Sequence, residues 1–527
     1  MNKLIIYLFL FTTLGIHSQE LMNFYVESAG TDMVTLNTMV YDNTFSSLGS
    51  SEVSFDDNTI NVTLCYLLSA GGSITLDPQE NSINLPSGYN SYTINIELYG
   101  VVDPSLPCSF ANLEDSGAIT FDYPYNPTAT TFIPDNVFED YLEGLGFGDD
   151  IANNDLVLTH RINNNRHVFV DSGFIPISGD ILSMEGLQDF LALRELRCDG
   201  NLITELDVSS NLFLEILWCF ENPISQLNIS NSLNLYWLWA YEMNLSTIDV
   251  TNNINLEILN VGGNNLGTID LTQNVNLKRL RLSNNPFNII DVTQNTLLEV
   301  LYIGSSSFSS IDLSNNPNLL ELYTGFSNIS TLDLSNNNLI EFLFLRDCFL
   351  TNLDVSNLTN LIWIDCLSNQ ITTLDLSSNP ALEAVSVADN NLTSLNLKNG
   401  NNENIGNLFA TDNDDLFCID VDDSSAAPYP GWSTENQVIF SEDCSLGQQD
   451  VLLNQIAVYP NPVAETLFIT HGGITIEKMI VYSMSGQTVL TSKNITHSID
   501  VSNLSQGIYF LEISILQDKV VKKIIKQ

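Results

Sequence analysis

The sequence predicts a mainly β chain: a parallel-sheet solenoid of 21-residue repeats, with one β-sandwich before it and a smaller one after it. Three observations lead there. From Leu193 the chain rewrites itself every 21 residues, for ten units without an insertion. Residues 20–127 carry alternating runs, INVTLCYL, YTINIELYG and AITFDY, separated by Gly, Pro, Asn and Asp, as the short strands of a sandwich do. The last stretch, from Asp450, also reads as short strands, yet it balances six acidic residues against six lysines. The whole chain holds 63 Asp plus Glu against 16 Lys plus Arg, a net charge of −47, so the acidity lies upstream of that stretch.

Taken in order, the chain opens with MNKLIIYLFLFTTLGIHSQE: one lysine, an apolar run over Leu4–Ile16, then small and polar residues. That is the make-up of a secretory signal and too short to span a bilayer, so 1–19 is expected to be removed after Ser18 or Gln19. No later run is long and apolar enough for a membrane helix, and the mature chain is expected to have no membrane span. Residues 20–127 are expected to form a β-sandwich, immunoglobulin-like in one reading, with Cys65 and Cys108 as a candidate bridge. NPT at 126–128 reads as a linker. Residues 128–192 hold a helix beginning after Pro134, with Val137, Phe138, Tyr141 and Leu145 on one face. They would cover the open apolar edge of the first repeat.

The units run from LRELRCDGNLITELDVSSNLF at Leu193 to LEAVSVADNNLTSLNLKNGNN at 382–402, with an irregular eleventh that closes the repeats at 423. Their frame is LxxLxLxxNxLxxLDLSxNxx. This resembles the short bacterial form of the leucine-rich repeat family, and the resemblance implies a solenoid whose strands pair unit to unit. Residues 128–192 resemble the amino-terminal cap of such domains. Residues 424–449, with the end of the eleventh unit, resemble the carboxyl-terminal cap, Cys418 and Cys444 being its expected staple. The asparagine at the ninth position (Asn201, Asn222, Asn264, Asn285, Asn369, Asn390) can satisfy backbone groups at each turn and stack into a ladder. Met243, Ser306, Ser327 and Cys348 interrupt it, and those turns are expected to be less regular. Cys198, Cys219 and Cys366 stand where other units have Leu, Ile or Val, and are expected as small buried hydrophobes.

Strand alternation sends the fourth and sixth positions of each unit inward and the third, fifth and seventh outward. In LYWLWAYE, residues 235–242, Leu235, Leu238 and Ala240 therefore face the core, and Trp237, Trp239 and Tyr241 face out. Reading the outward positions down the chain gives the candidate ligand-binding face: Trp218, Phe220, Trp237, Trp239, Tyr241, Arg279, Arg281, Tyr302, Tyr323, Phe342, Phe344, Arg346, Trp363 and Asp365. Four of the five tryptophans and three arginines fall in this set, and Trp, Tyr and Arg are the residues most enriched at binding hot spots. The competing reading is that aromatics favour strands and cover one another across the sheet. Aromatics mixed with charges also stack on sugar rings, so a protein and a glycan both stay open as ligand.

A second column, Asp207, Asp249, Asp270, Asp291, Asp312, Asp333, Asp354 and Asp375, has Asn228 and Asn396 at its exceptions. Repeated carboxylates suit calcium, but Asn in two of the places suits an Asx turn, and the turn reading is preferred. DVDD at 420–423 is read as a solvated turn.

Residues 450–527 carry VYPNPVAETLFI, KMIVYSMSGQTVL, IDVSNLSQGIYFLEI and KVVKKIIKQ. They closely resemble the type A sorting domain of the type IX secretion system, through Pro460-Asn461-Pro462, Gly486, Gly507-Ile508-Tyr509 and the lysine-bearing last strand. The resemblance implies a partner in the type IX machinery, export across the outer membrane of a Gram-negative bacterium, removal of the domain, and attachment to the surface or release.

The strong acidity argues against nucleic acid as partner. Of five histidines, His17 lies in the signal, His471 and His497 in the last domain, and His160 and His167 in the cap without a nucleophile motif. No GxSxG, HExxH, phosphate loop or CxxC pair is present. A carboxylate pair needs no motif, and in the first domain it stays open. The expectation is no enzyme, no catalytic residue, no metal and no cofactor. The expected function is that of a secreted or surface binding protein for a protein ligand, in adhesion or interaction. The alternatives are glycan capture for nutrients and a structural surface-layer component.

Overall fold

The computed structural model describes residues 19–28, 33–42, 45–69, 75–85, 91–101, 112–122, 128–149, 151, 153–170, 179–444, 456–470, 476–492, 498–515 and 518–527. They fall into two compact units, Met1–Pro286 and Phe287–Gln527. Residues 1–18 of the expected signal and Cys108 lie outside the described residues, and with Cys108 the expected Cys65–Cys108 bridge; Gln19, the last residue of the expected signal, opens the first strand.

In the first unit, seven strands form the amino-terminal sandwich. One sheet pairs Gln19–Ser28, Met33–Asp42 and Thr75–Asn84; the other pairs Phe45–Asp56, Thr59–Ser69, Ser91–Val101 and Asn112–Asp122. Leu36, Ile60, Val62, Leu64, Ile94, Ile96 and Leu98 fill its core. The order departs from the immunoglobulin pattern of antiparallel pairs, because Thr59–Ser69 and Ser91–Val101 pair in parallel. The chain crosses to the other sheet for Thr75–Asn84 and returns, so the two strands run the same way.

The cap helix is Asn136–Gly144. Asp135 sets its start, because Oδ1 accepts the Val137 and Phe138 N–H groups at 3.0 and 3.1 Å. Its Oδ2 accepts Leu182 and Ser183 N–H at 2.7 and 3.1 Å, tying the helix to the chain just before the repeats. The cap also supplies a first strand, His167–Phe169, in parallel register with Glu195–Arg197. Arg166 joins the cap to the sandwich by donating to Ser116 O at 2.5 Å, 5.5 Å above the Phe24 ring.

The parallel ladder continues through Ile216–Trp218, Trp237–Trp239, Ile258–Asn260 and Arg279–Arg281. Its inward column, Leu196, Leu217, Leu238, Leu259 and Leu280, is wholly buried. Each unit then turns through a left-handed residue, among them Glu221, Glu242, Gly263 and Asn284. The turn keeps that conformation where the ninth-position asparagine is missing, at Glu242, Ser305, Phe326 and Asp347. What those units lose is the amide's full set of bonds, not the turn: Cys348 Sγ still donates to Thr324 O at 3.6 Å, and Ser306 Oγ to Gly304 O at 3.5 Å.

In the second unit, Val300–Tyr302, Glu321–Tyr323, Phe342–Phe344, Trp363–Asp365, Ala384–Ser386 and Asn407–Phe409 pair in parallel. On the other side of the coil Thr373–Asp375, Ser394–Asn396, Cys418–Asp420 and Ile439–Ser441 form a sheet of their own. Cys418 and Cys444 are bonded there, with Cα atoms 5.9 Å apart. Cys198, Cys219, Cys348 and Cys366 are free and buried.

Seven more strands, Ala457–Tyr459 to Asp518–Lys526, pack in two sheets around Leu467, Val481, Leu511, Ile513 and Ile524. The amide of Asn461, between its two prolines, clamps the last strand. Nδ2 donates to Lys523 O and Oδ1 accepts Ile525 N–H, both at 2.8 Å. Gly486 takes φ +80° in the turn that closes Ile476–Ser483 onto Thr488–Ser492.

Candidate functional site

The outward face of the first unit begins on a buried charge. Glu195, in the third position of its unit, accepts from Arg197 Nε at 2.6 Å, and its other oxygen lies 3.1 Å from His167 Nδ1. Burial alone would push the Glu195 carboxyl up. The His167 hydrogen bond, with the charges of Arg197 and His167, outweighs burial and holds the carboxyl below its ordinary value. The Arg197 guanidinium is fixed between rings, 4.9 Å from the centre of Phe169 and 4.1 Å from that of Trp218.

Parallel register then brings like positions together. Trp218 and Trp239 stack at 4.5 Å with 18° between their planes, and Phe220 and Tyr241 at 4.2 Å and 12°. Trp237 sets its edge against both tryptophans, at 5.1 and 5.3 Å. All five rings are half-buried, while Leu235, Leu238 and Ala240 beneath them are buried completely. Outward alternation holds, but the rings take much of their burial from one another. The indole N–H groups of Trp218 and Trp237 are buried and find no acceptor among the described residues. The next two strands place Ile258, Asn260 and Gly262, then Arg279 and Arg281, on the same side.

The second unit holds the remaining candidates. Tyr302–Tyr323, Tyr323–Phe344 and Phe344–Trp363 meet at 5.8, 6.4 and 5.4 Å, all tilted or edge-on. The ring of Tyr323 lies over a glycine, for a Cβ on Gly304 would come within 2.2 Å of it. Burial pushes its hydroxyl pKa up. Tyr302 donates its hydroxyl to Glu321 at 2.7 Å. Arg346 is exposed and Phe342 half-buried, and Trp363 is 43% exposed. Asp365, read from the sequence as an outward contact, is buried: it pairs with Arg346 at 3.0 Å and accepts Leu367 N–H at 3.1 Å. That position is closed because its neighbour supplies the counter-charge.

The aspartate column makes turns. Asp207, Asp249, Asp270, Asp291, Asp312, Asp333, Asp354 and Asp375 each accept the N–H two residues on, at 2.9–3.0 Å. Asn228 and Asn396 do the same at 3.1 and 3.0 Å. Among the described residues no three His, Cys, Asp or Glu side chains gather as a metal site would need. No helix among them is long and apolar enough to cross a membrane.

Two features go beyond the sequence reading: the frame carries an asparagine at its nineteenth position without a role, and the twentieth position is left unassigned. A second asparagine ladder, at the nineteenth position, buries Asn211, Asn253, Asn274, Asn316, Asn337 and Asn379 completely. At the twentieth, Leu191, Leu212, Leu233, Ile254 and Val275 form an aliphatic column 47–55% exposed; the later units have Thr296, Pro317, Asn338, Thr359 and Pro380 there. Both columns are visible in the sequence when each position is followed from unit to unit.

Residues 457–527 match the family described as the secretion system C-terminal sorting domain. Among solved structures, the functional domain of InlJ from Listeria monocytogenes, which includes a cysteine ladder, is similar at TM-score 0.50 and 21% identity. The match covers 76% of this chain and 100% of that one. An internalin, InlF, from the same organism gives 0.43 at 19% identity, over 57% of this chain and 95% of its own. The Leptospira interrogans leucine-rich-repeat protein LIC12759 gives 0.39 at 19%, over 49% and 81%. No protein of curated function matches the sequence. The likeness to InlJ establishes the fold of the repeats as a leucine-rich-repeat solenoid.

Proposed function

We propose that the protein is exported by the type IX route and acts, secreted or held at the outer cell surface of a Gram-negative bacterium, as a non-enzymatic binding protein for a protein ligand. The observation that carries the reading is the five-ring cluster of Trp218, Phe220, Trp237, Trp239 and Tyr241, held half-buried on the outward side of strands whose inward side is closed. Rings in that state are the anchors of protein interfaces. A sugar-binding platform needs an open ring face, and Trp218 offers none, with Arg197 on one side and Trp239 stacked on it, whereas Trp239 and Tyr241 are each stacked on one face only.

The test is a variant with Trp237→Ser, Trp239→Ser and Tyr241→Ser, followed by thermal melting, a cross-linking pull-down and a glycan array. The wild type should retain a protein that the folded variant loses. Retention of glycans in place of protein, or unchanged capture by the variant, would overturn the reading. The export half is tested by truncation before Asp450, which should strand the protein in the periplasm. Surface display of the truncated chain would refute it.

A further inference from the structure

The outward side of the first unit has a trough as well as a wall. Register sets Trp239, Asn260 and Arg281 side by side on successive strands, each step being about 4.8 Å. The floor between is low. Ile258 is 7% exposed, Asn260 turns its Oδ1 back to the Gly262 N–H at 3.2 Å, and Gly262 has no side chain. A Cβ placed on Gly262 would meet Ser283 O at 3.1 Å and Asn260 Oδ1 at 3.4 Å, with no aromatic atom nearer than 3.9 Å. Trp239 and Tyr241 stack upstream on Trp218 and Phe220, so their other faces look across this floor. Arg279 and Arg281 stand opposite.

The charge there is unusual for this chain. Seven arginines serve a net charge of −47, and two of them point outward from one strand. Among the described residues Arg279 has no hydrogen bond and no ion pair. Wall strand to wall strand spans two steps, about 10 Å, room for one extended chain and too little for a helix about 10–12 Å across. A guanidinium favours a planar carboxylate, which it can hold by two parallel hydrogen bonds. A long polyanion would be repelled by the acidity of the rest of the protein, whereas one carboxylate meets the arginines at short range.

We propose that this trough seats an extended acidic segment of the protein partner. A side-chain carboxylate lies at Arg279 and Arg281, and the flanking apolar residues lie along Trp239 and Tyr241. The proposal rests on the protein-binding reading above and names the chemistry of its ligand.

The experiment uses the full chain and a labelled library of nine-residue peptides, each made in a Glu and a Gln version at its central position. Wild type should bind a subset in which Glu exceeds Gln by about tenfold or more, as expected for hydrogen bonds to a charged group. The pair Arg279→Gln and Arg281→Gln should bind both versions alike with an unchanged melting temperature; Arg279→Lys, which keeps the charge, should restore part of the preference when Arg281 is intact. Persistence of the Glu preference in the double variant, or no peptide bound by wild type, would overturn the trough while leaving cross-linked protein capture as the separate test of the parent reading. Arginine-dependent binding of oligogalacturonate in place of peptides would overturn both.

Discussion

The two aromatic clusters are built on the same frame and differ in how much of their chemistry is already used. In the second unit the polar groups answer one another: Tyr302 donates to Glu321, and Arg346 holds Asp365. Its rings meet only at an angle. In the first unit two ring pairs are stacked in parallel, and two indole N–H groups stay buried without an acceptor among the described residues. A buried donor left unpaired costs about 1–3 kcal/mol. The first cluster keeps that cost, and the second, built on the same frame, pairs its polar groups. The exposed aliphatic column also belongs to the first unit.

The largest expected effect tests what the clusters share. Leu238→Ala and Leu343→Ala, each beneath its own cluster and fully buried, should each cost about 2–5 kcal/mol in denaturant unfolding. A marked inequality would mean that the frames differ, and the contrast of the rings would lose its baseline.

Next come the charges. Glu195→Gln breaks a buried set and should cost about 3 kcal/mol, whereas Asp365→Asn, whose Arg346 side chain is 44% exposed, should cost about 1 kcal/mol or less. Because the Glu195 carboxyl is held below its ordinary value, its contribution is complete above about pH 4.3. It disappears as pH falls further, through the folded value. Melts at falling pH should therefore lose that acid-side slope in Glu195→Gln, and equal slopes would deny the pair its role.

Smaller again are the rings. Trp239→Ala should lose about 1 kcal/mol beyond its buried area through the lost stack, more than Phe344→Ala loses from its tilted contacts. Equal losses would remove stacking as the difference between the clusters. Smallest of all should be Asp249→Ala, where a turn carboxylate hydrogen-bonded to the Thr251 hydroxyl and N–H sits in open solvent. Its pKa is lowered chiefly by the hydroxyl bond, so any effect should be present at neutral pH and fade only below about pH 4.

Much of this frame was legible. Period fixes which residue meets which across the ladder, so the inward leucines, the buried cysteines and the turn aspartates could be placed from spacing alone. Asp207 and Asn228 make the same turn bond, which is why their interchange was informative. The state of the outward side was not legible. Whether Trp239 faces solvent or Trp218 depends on rotamers chosen jointly with the next strand, and no single-unit pattern encodes that choice. Asp365 was misplaced for the same reason, since its burial depends on Arg346 in the preceding unit. The pairing of His167 with Glu195 joins the cap to the first repeat, beyond the reach of the repeat frame. The sandwich topology escaped because strand order between two sheets leaves no trace in alternation.

The asparagine ladders have a direction. Asn222 donates to Cys198 O and accepts from Ile203 N–H; Asn264 donates to Ala240 O; Asn253 donates to Ile229 O and Ser232 O. In the second unit Asn390 likewise donates to Cys366 O. Each of these amides satisfies itself on chain that was made before it. A polypeptide that emerges amino end first can therefore lay down one coil at a time, every new amide finding its partners in place, with the cap strand His167–Phe169 as the first template. Loss of coils from the carboxyl end would leave earlier amides bonded, while loss of the cap would orphan the first of them. Hydrogen exchange on chains shortened from either end should show that asymmetry.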